Sequence, residues 1–278
     1  MRKMLIIGLF LFLTIFIIIY INSASDNYTY SVSSYNNESP KIIHLIYIPW
    51  DKQQKLKDNH LDFDMKPYIK LKQNNPDYNI KLWTLPDIQE FVRNFYPENY
   101  NDIFDVPRPV MIVDIIRLLV VYHYGGIYWQ YGSIRKVNSM DIFQPSNDKK
   151  VKLFTEIVLS DAKAQEMKNE PIRNGEPEEK IRVCTQIFSA VPKHPYIFKL
   201  FKTALNNKNK YQVKRDYDIL YITGNAMMST VYNQTGKNMN DIELVDYDTT
   251  QKIIKISSSG SWRKEKETNY LDFFKTIF

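Results

Sequence analysis

From Lys41 onward the chain alternates between two hydrophobic patterns. Ile42-Ile43-His44-Leu45-Ile46-Tyr47-Ile48 is an almost unbroken apolar run between Pro40 and Pro49, which predicts a strand buried on both faces. Residues 62–73 predict a helix, stopped by Asn74-Asn75-Pro76. A second strand is expected over 79–83. A helix follows over 86–95, with Pro86 in its first turn and Pro97 just beyond its end. Residues 109–124 are apolar nearly all round, the mark of a helix buried on every side. Gly125-Gly126 ends that helix, and a strand is expected over 127–131. Further core strands are expected over 152–159 and 182–190, separated by a charged, aperiodic surface excursion at 160–181. Residues 195–206 predict a helix, and another follows Gly224. Late strands are expected at 243–245 and 253–256. Such alternation implies an α/β fold with helices packed on a mainly parallel sheet. No internal repeat is visible.

The amino terminus has a different pattern. Residues 5–21 are apolar except for Gly8 and Thr14. Counted from Met4, the run reaches the roughly 18 residues that a transmembrane helix needs. A cleaved signal peptide is the competing reading, with Ser23-Ala24-Ser25 as a small-residue cleavage site, although its apolar core is usually only about 7–15 residues. Arg2 and Lys3 before the run and Asp26 after it favour a single-pass type II signal anchor, with the folded part luminal or otherwise extracytoplasmic. Glycosylation triplets at Asn27, Asn37 and Asn233 suit that placement, though an Asn-rich chain also produces them by chance. The expected organisation is a cytosolic tip and anchor over 1–25, a polar stem over 26–39, and a single domain over 40–278.

Composition narrows the function classes. Hydrophobic residues at 44% and charged residues at 24% exclude wholesale disorder. The net charge of +6 is spread along the chain and not gathered into a stripe, so nucleic acid is not an expected partner. Cys184 is the sole cysteine, which excludes an internal disulfide and a Cys-rich zinc site. It falls in an expected strand and reads as a small buried hydrophobe, which argues against a nucleophilic hydrolase. His44, His60, His123 and His194 lack metal-ligand spacing. His44 reads as a core histidine, and His194-Pro195 as a turn before a helix.

The richest stretch runs from Asp114 to Gly132. Asp114 and Arg117 are the only formal charges in the buried helix, and at i and i+3 they share a face. Two readings stay open: a mutual salt bridge that satisfies both, or a polar notch that holds a sugar or nucleoside hydroxyl. Gly125-Gly126 permits a tight turn and close approach of a ligand.

Here the chain resembles the glycosyltransferases carrying a DXD sugar-binding motif, the group typified by yeast initiating α-1,6-mannosyltransferases (glycosyltransferase family 32). Pro40-Lys41-Ile42-Ile43-His44 matches the family's opening strand. Asn75-Pro76-Asp77-Tyr78 and Lys81-Leu82-Trp83 match its second landmark. Asp114, Arg117, Tyr122 and Gly125-Gly126-Ile127-Tyr128 match the central one. Ser189, Lys193-His194-Pro195, Thr223-Gly224 and Gly260-Ser261-Trp262 follow in order, with Asn225 where proline is usual. The resemblance covers residues 40–263. It implies a GT-A (Rossmann-like) fold binding a nucleotide sugar at the carboxyl ends of its strands. It also implies donor-site roles for Asp114, Arg117, Gly125, Gly126, Tyr128, Gln130 and Gly132, and a retaining hexosyl transfer to a glycan or glycoprotein acceptor.

The departure from the family is at the DXD itself. Gln130-Tyr131-Gly132 stands where the family has Asp-x-Asp, and Ser257-Ser258-Ser259 where members carry a histidine ahead of the closing Trp. Mn²⁺ and Mg²⁺ want oxygen ligands, chiefly carboxylates, and these are gone. No metal ligand is assigned, and no nucleophile or general base is legible. Three readings follow. The enzyme works without metal, with Arg135, Lys136, Trp262 and Arg263 as candidate diphosphate contacts. Or catalysis is lost, and the fold serves as a glycan-binding or scaffolding subunit of an active glycosyltransferase. Or another acid, such as Asp105 or Asp141, supplies a metal ligand.

Overall fold

The computed structural model describes residues 39–51, 55–56, 65–130, 139–146, 148–173, 175 and 178–254. The apolar run at 5–21 and the stem lie outside the described residues. So do Asn27, Asn37, Gly132, Arg135, Lys136, the serines at 257–259, Trp262 and Arg263. Among the described residues, no helix is long and apolar enough to cross a membrane.

The elements run β1 (Ile42–Ile46), α1 (Met65–Asn74), β2 (Asn79–Trp83), α2 (Leu85–Phe95), α3 (Tyr100–Phe104), α4 (Pro109–Tyr124), β3 (Gly126–Trp129), β4 (Val151–Val158), α5 (Asp161–Glu166), β5 (Ile181–Val183), β6 (Ile187–Ala190), α6 (Pro195–Lys210), α7 (Asp216–Ile222), α8 (Asn225–Gln234), β7 (Ile242–Val245) and α9 (Tyr247–Ile253). The strands form one sheet in the order β2-β1-β3-β6-β4-β5, with β7 paired to β4. The expected parallel arrangement holds for β2-β1-β3 and for β4-β7. It fails elsewhere, because β6 runs antiparallel to β3 and β4, and β5 antiparallel to β4. The excursion between β4 and β5 contains only the short α5 and single helical turns. It returns the chain beside β4 without crossing the sheet, and such a return is antiparallel.

Both faces of the sheet are covered, as the unbroken apolar strands require. Ile43, Leu45, Ile127, Trp129 and Phe154 pack on one face with Phe143 and Tyr78. Ile46, Tyr128, Leu153 and Phe188 pack on the other, beneath α4, α6 and α8. α4 is the centre of that layer: Ile115, Ile116 and Leu118 to Val121 are wholly buried. Each such side chain contributes roughly 1.5–3 kcal/mol on leaving water.

The turn from α4 into β3 needs its two glycines for packing. Gly125 and Gly126 have φ of +69° and +88°. A Cβ on Gly126 would lie 2.6 Å from Ile42 O, and one on Gly125 2.7 Å from Pro192 Cδ. His44 locks the same corner. Trp83 Nε1 donates to its Nδ1 at 3.1 Å, which leaves Nε2 to donate to Gly125 O at 2.8 Å. The ring is neutral, its pKa lowered to about 4 by burial.

Three expectations change. The helix α9, capped by Asp246 Oδ1 accepting from Thr249 N at 2.9 Å, takes in Ile253, the first position of the strand expected over 253–256, while 255–256 lie outside the described residues. α3 and α7 form where no element was expected. The strand expected over 182–190 breaks into β5 and β6 at Cys184–Gln186, and that break builds the site described next.

Candidate functional site

The apolar helix α4 carries Asp114 and Arg117 into the interior, 6% and 4% exposed. They form a salt bridge, one of the two readings that the spacing left open, Arg117 Nη2 donating to Asp114 Oδ1. The pair is not closed on itself. Thr223, just ahead of α8, donates its hydroxyl to Asp114 Oδ2 at 2.8 Å, and Arg117 Nη1 donates to Thr185 O at 2.6 Å. The guanidinium also lies over the Tyr128 ring, 5.0 Å from its centroid. Burial pushes the Asp114 carboxyl upward in pKa, while the Arg117 charge and the Thr223 hydroxyl oppose it. A buried ion pair of this kind holds because every partner is present.

Thr185 belongs to the break between β5 and β6. The next carbonyl, that of Gln186, accepts from Gln130 N at 2.8 Å. The break therefore hands one carbonyl to α4 and the next to the end of β3. It sets Gln130, the first position of the degenerate motif, against Gln186. On the other side of Thr223, Asn225 Nδ2 donates to Glu156 Oε2 at 3.0 Å. Glu156 is the residue that the register of β4 skips, since Thr155 pairs with Val183 and Ile157 with Arg182. Such a bulge re-aims a side chain, and bulges are common beside active sites. Burial raises the Glu156 pKa against Asn225 and the charges of Arg182 and Arg117. Arg182 in turn bonds Glu178 at 3.2 Å, and Glu178 takes the Tyr221 hydroxyl.

The result is a continuous polar array from Gln130 through Gln186, Arg117 and Asp114 to Asn225 and Glu156. It lies where β3 ends and the β5–β6 break begins. Asp114, Arg117, Tyr128 and Gln130 lie along this array, Tyr128 beneath the Arg117 guanidinium and Gln130 on Gln186. It places Gly125 and Gly126 at the opposite end of β3, packed on Pro192 and Ile42. Other landmarks also do structural work. Ser189 Oγ donates to Phe143 O, and His194 caps α6 through Nδ1 while Nε2 faces Asp241 at 3.1 Å. Asn233 sits in α8 with its carboxamide donating to Ser229 O at 3.0 Å. Cys184 is buried with its thiol pushed up to about 12, so it stays protonated and unreactive.

Sequence reasoning missed Glu156, Thr185 and Gln186. Glu156 lies in a strand whose bulge leaves no local signal. The break at 184–186 reads as ordinary strand until Arg117 and Gln130 claim its carbonyls. A signal was available for Asn225, which stands where the resembling family has proline.

The donor set at the motif does not suit a divalent cation. Gln130 offers one neutral carbonyl and Gly132 no side chain. Of the acids considered as replacements, Asp141 accepts from Tyr78 OH at 2.8 Å and faces Lys41, and Asp105 ends α3. Among the described residues, no group of three His, Cys, Asp or Glu side chains is placed to hold a metal ion.

Comparisons with known proteins bear on the same region. Mannosyl phosphorylinositol ceramide synthase SUR1 of Saccharomyces cerevisiae is 25% identical over 197 residues, 70% of this chain and 42% of that protein. Its counterpart CSH1 is 25% identical over 250 residues, 86% of this chain and 55% of that protein. Inositol phosphoceramide mannosyltransferase 3 of Schizosaccharomyces pombe is 30% identical over 36% of this chain and 26% of its own length. The chain thus spans about half the length of the first two of these relatives. A solved structure, PaToxG Glycosyltransferase, aligns with a TM-score of 0.42 at 16% identity, covering 72% of this chain and 71% of that one. Residues 20–131, which include Asp114, Arg117, Tyr128 and Gln130, match the family described as the glycosyltransferase sugar-binding region containing DXD motif, and by that region the chain is similar to the DXD glycosyltransferases.

Proposed function

We propose that this chain is a glycosyltransferase of GT-A type that moves a hexosyl unit from a nucleotide sugar to a hydroxyl of a glycan or glycosylated acceptor. The observation that carries the reading is the Asp114–Arg117 pair tied to Thr185 and Thr223, with Gln130 on Gln186 beside it. The names of the relatives make mannosyl the first donor group to test. Reaction at the anomeric carbon breaks its bond to the diphosphate oxygen and forms one to the acceptor oxygen. The family resemblance points to retention of configuration. The acceptor proton leaves with the diphosphate, which is the strongest base released in the step.

The described residues contribute positioning and electrostatics. Arg117, fixed by Asp114 and Thr185, holds the β5–β6 break in place and adds a fixed positive charge. Gln130 offers a neutral polar contact where the resembling family has a carboxylate, with Gln186 bonded to it through the backbone. The diphosphate charge is met by cationic side chains or backbone N–H groups and not by a divalent ion. Arg135, Lys136 and Arg263 are our candidates for that role, with Trp262 beside them. The apolar segment at 5–21 anchors the chain as a single-pass type II protein with the 40–278 domain luminal, glycosylated at Asn27, Asn37 or Asn233.

A second reading keeps the fold without catalysis, as a glycan-binding partner of an active transferase. The side chains at 130 and 132, neither of them a carboxylate, favour it. The test is nucleoside diphosphate release by the full chain from GDP-mannose, UDP-glucose and UDP-galactose, with and without EDTA. Release that EDTA leaves intact supports the metal-free enzyme. Release abolished by EDTA defeats it, and no release with retained glycan binding supports the second reading.

A further inference from the structure

Gln186 is out of balance with its surroundings. The residue is 6% exposed, yet its Oε1 is buried and has no hydrogen-bond partner among the described residues. Burying an amide oxygen unsatisfied costs roughly 1–3 kcal/mol, so native proteins rarely keep one without a use. The backbone around it is the opposite of loose. Gln186 O accepts from Gln130 N at 2.8 Å, and the preceding carbonyl is held by Arg117 at 2.6 Å. The position of the side chain is thus fixed from two sides while its carboxamide is left open. A preorganised group with unspent hydrogen-bonding capacity is what a binding site supplies and a structural contact does not.

The chemistry of the open group selects its ligand. An acceptor oxygen needs an O–H or N–H donor, and the adjoining Nε2 offers two donors. A diphosphate oxygen carries no proton at neutral pH and would be repelled by Oε1. A hexose hydroxyl both donates and accepts, and so meets both ends of a carboxamide. The amide edge of a nucleobase has the same donor–acceptor character and is the rival source. The position favours the sugar, because Gln186 is bonded to the motif residue Gln130 and follows the carbonyl held by Arg117.

Resting on the donor-site reading above, we infer that Gln186 reads a hydroxyl of the transferred hexose and is a specificity-determining residue of this protein. The inference is separable from the fold, because an apolar residue of similar shape would remove an unsatisfied buried oxygen and leave its backbone bonds in place.

The test uses the full chain in detergent and the variants Gln186→Met and Gln186→Glu. Thermal unfolding without ligand and calorimetric titration with GDP-mannose, GDP, UDP-glucose and UDP are measured for each. Gln186→Met is expected to unfold at the same temperature as wild type or higher. It is expected to bind the preferred nucleotide sugar about tenfold more weakly, with the matching nucleoside diphosphate unchanged, the size expected for one well-formed hydrogen bond with its partner left unpaired. Gln186→Glu keeps the acceptor and loses the donors, so it should fall between the two. Equal weakening of sugar-bearing and sugar-free nucleotides would assign the group to the base and overturn the inference. So would unchanged affinity, or a lower unfolding temperature in Gln186→Met, which would make the carboxamide structural. Those outcomes differ from failure of the donor-site reading itself, in which wild type binds no nucleotide sugar and both proposals fall.

Discussion

Thr223 donates its hydroxyl to Asp114 at 2.8 Å across 109 positions of sequence. The bond joins the buried helix α4 to the turn that opens α8. It satisfies the one carboxylate oxygen that Arg117 leaves free. Removing either end should therefore be felt at the other. Asp114→Asn leaves the Arg117 charge buried without its counter-ion and is expected to cost about 3–5 kcal/mol. Thr223→Val removes one hydrogen bond to a charged group and is expected to cost about 1.5–3 kcal/mol. Urea denaturation of the single and double variants gives the coupling. Strictly additive losses would show that the bond does not hold the pair.

His44 predicts a pH dependence of stability. Its folded pKa of about 4 lies below the ordinary value of 6.5, with burial as the main cause and the bond to Gly125 opposing it. The unfolded chain takes up a proton on this group at a pH where the folded chain does not. The contribution is thus complete above about pH 6.5 and is lost as pH falls towards 4, and it amounts to about 3 kcal/mol. His44→Gln should be less stable at pH 7.5 but lose less on going to pH 5. A wild-type stability that stays flat between those values would contradict this account.

Gly126 is expected to be intolerant of substitution for reasons unconnected with any ligand. Alanine there meets φ of +88° and a contact of 2.6 Å with Ile42 O. The backbone term alone is about 1–3 kcal/mol, and the clash adds to it. Gly126→Ala should lower the unfolding temperature or prevent folding. A variant that folds normally but loses nucleotide binding would instead put this glycine in contact with the donor.

Glu156 faces the charges of Arg182 and Arg117. Removing its own charge makes the array more positive. Glu156→Gln keeps an acceptor for Asn225 and should bind GDP or UDP about two- to tenfold more tightly at low salt, with the gain shrinking as salt rises. Weaker binding at all salt concentrations would mean that the carboxylate contacts the ligand directly.

Much of the fold was legible because it rests on local hydrophobic pattern. β2 at 79–83 and α4 at 109–124 fall where the apolar runs put them, since a segment apolar on every side has nowhere to go but the interior. The helix α9 was missed because it rests on a single capping residue, Asp246, over a polar stretch without apolar periodicity. The Asp114–Arg117 pair was legible because two charges in an apolar helix must find partners, and i, i+3 spacing makes them each other's.

The sequence by itself determined the layered α/β architecture, the buried helix, the charged pair within it, and the lack of a carboxylate at 130 and 132. Local patterns encode these directly: hydrophobic period, helical spacing and residue chemistry. Tertiary structure decided which end of β3 carries the polar array and which merely packs. It also decided that a stretch reading as one strand opens at 184–186. The reason is that the partners of that opening, Arg117 and Gln130, come from helix and strand ends more than fifty residues away in sequence. Contacts at such separation leave no periodicity in the chain that makes them.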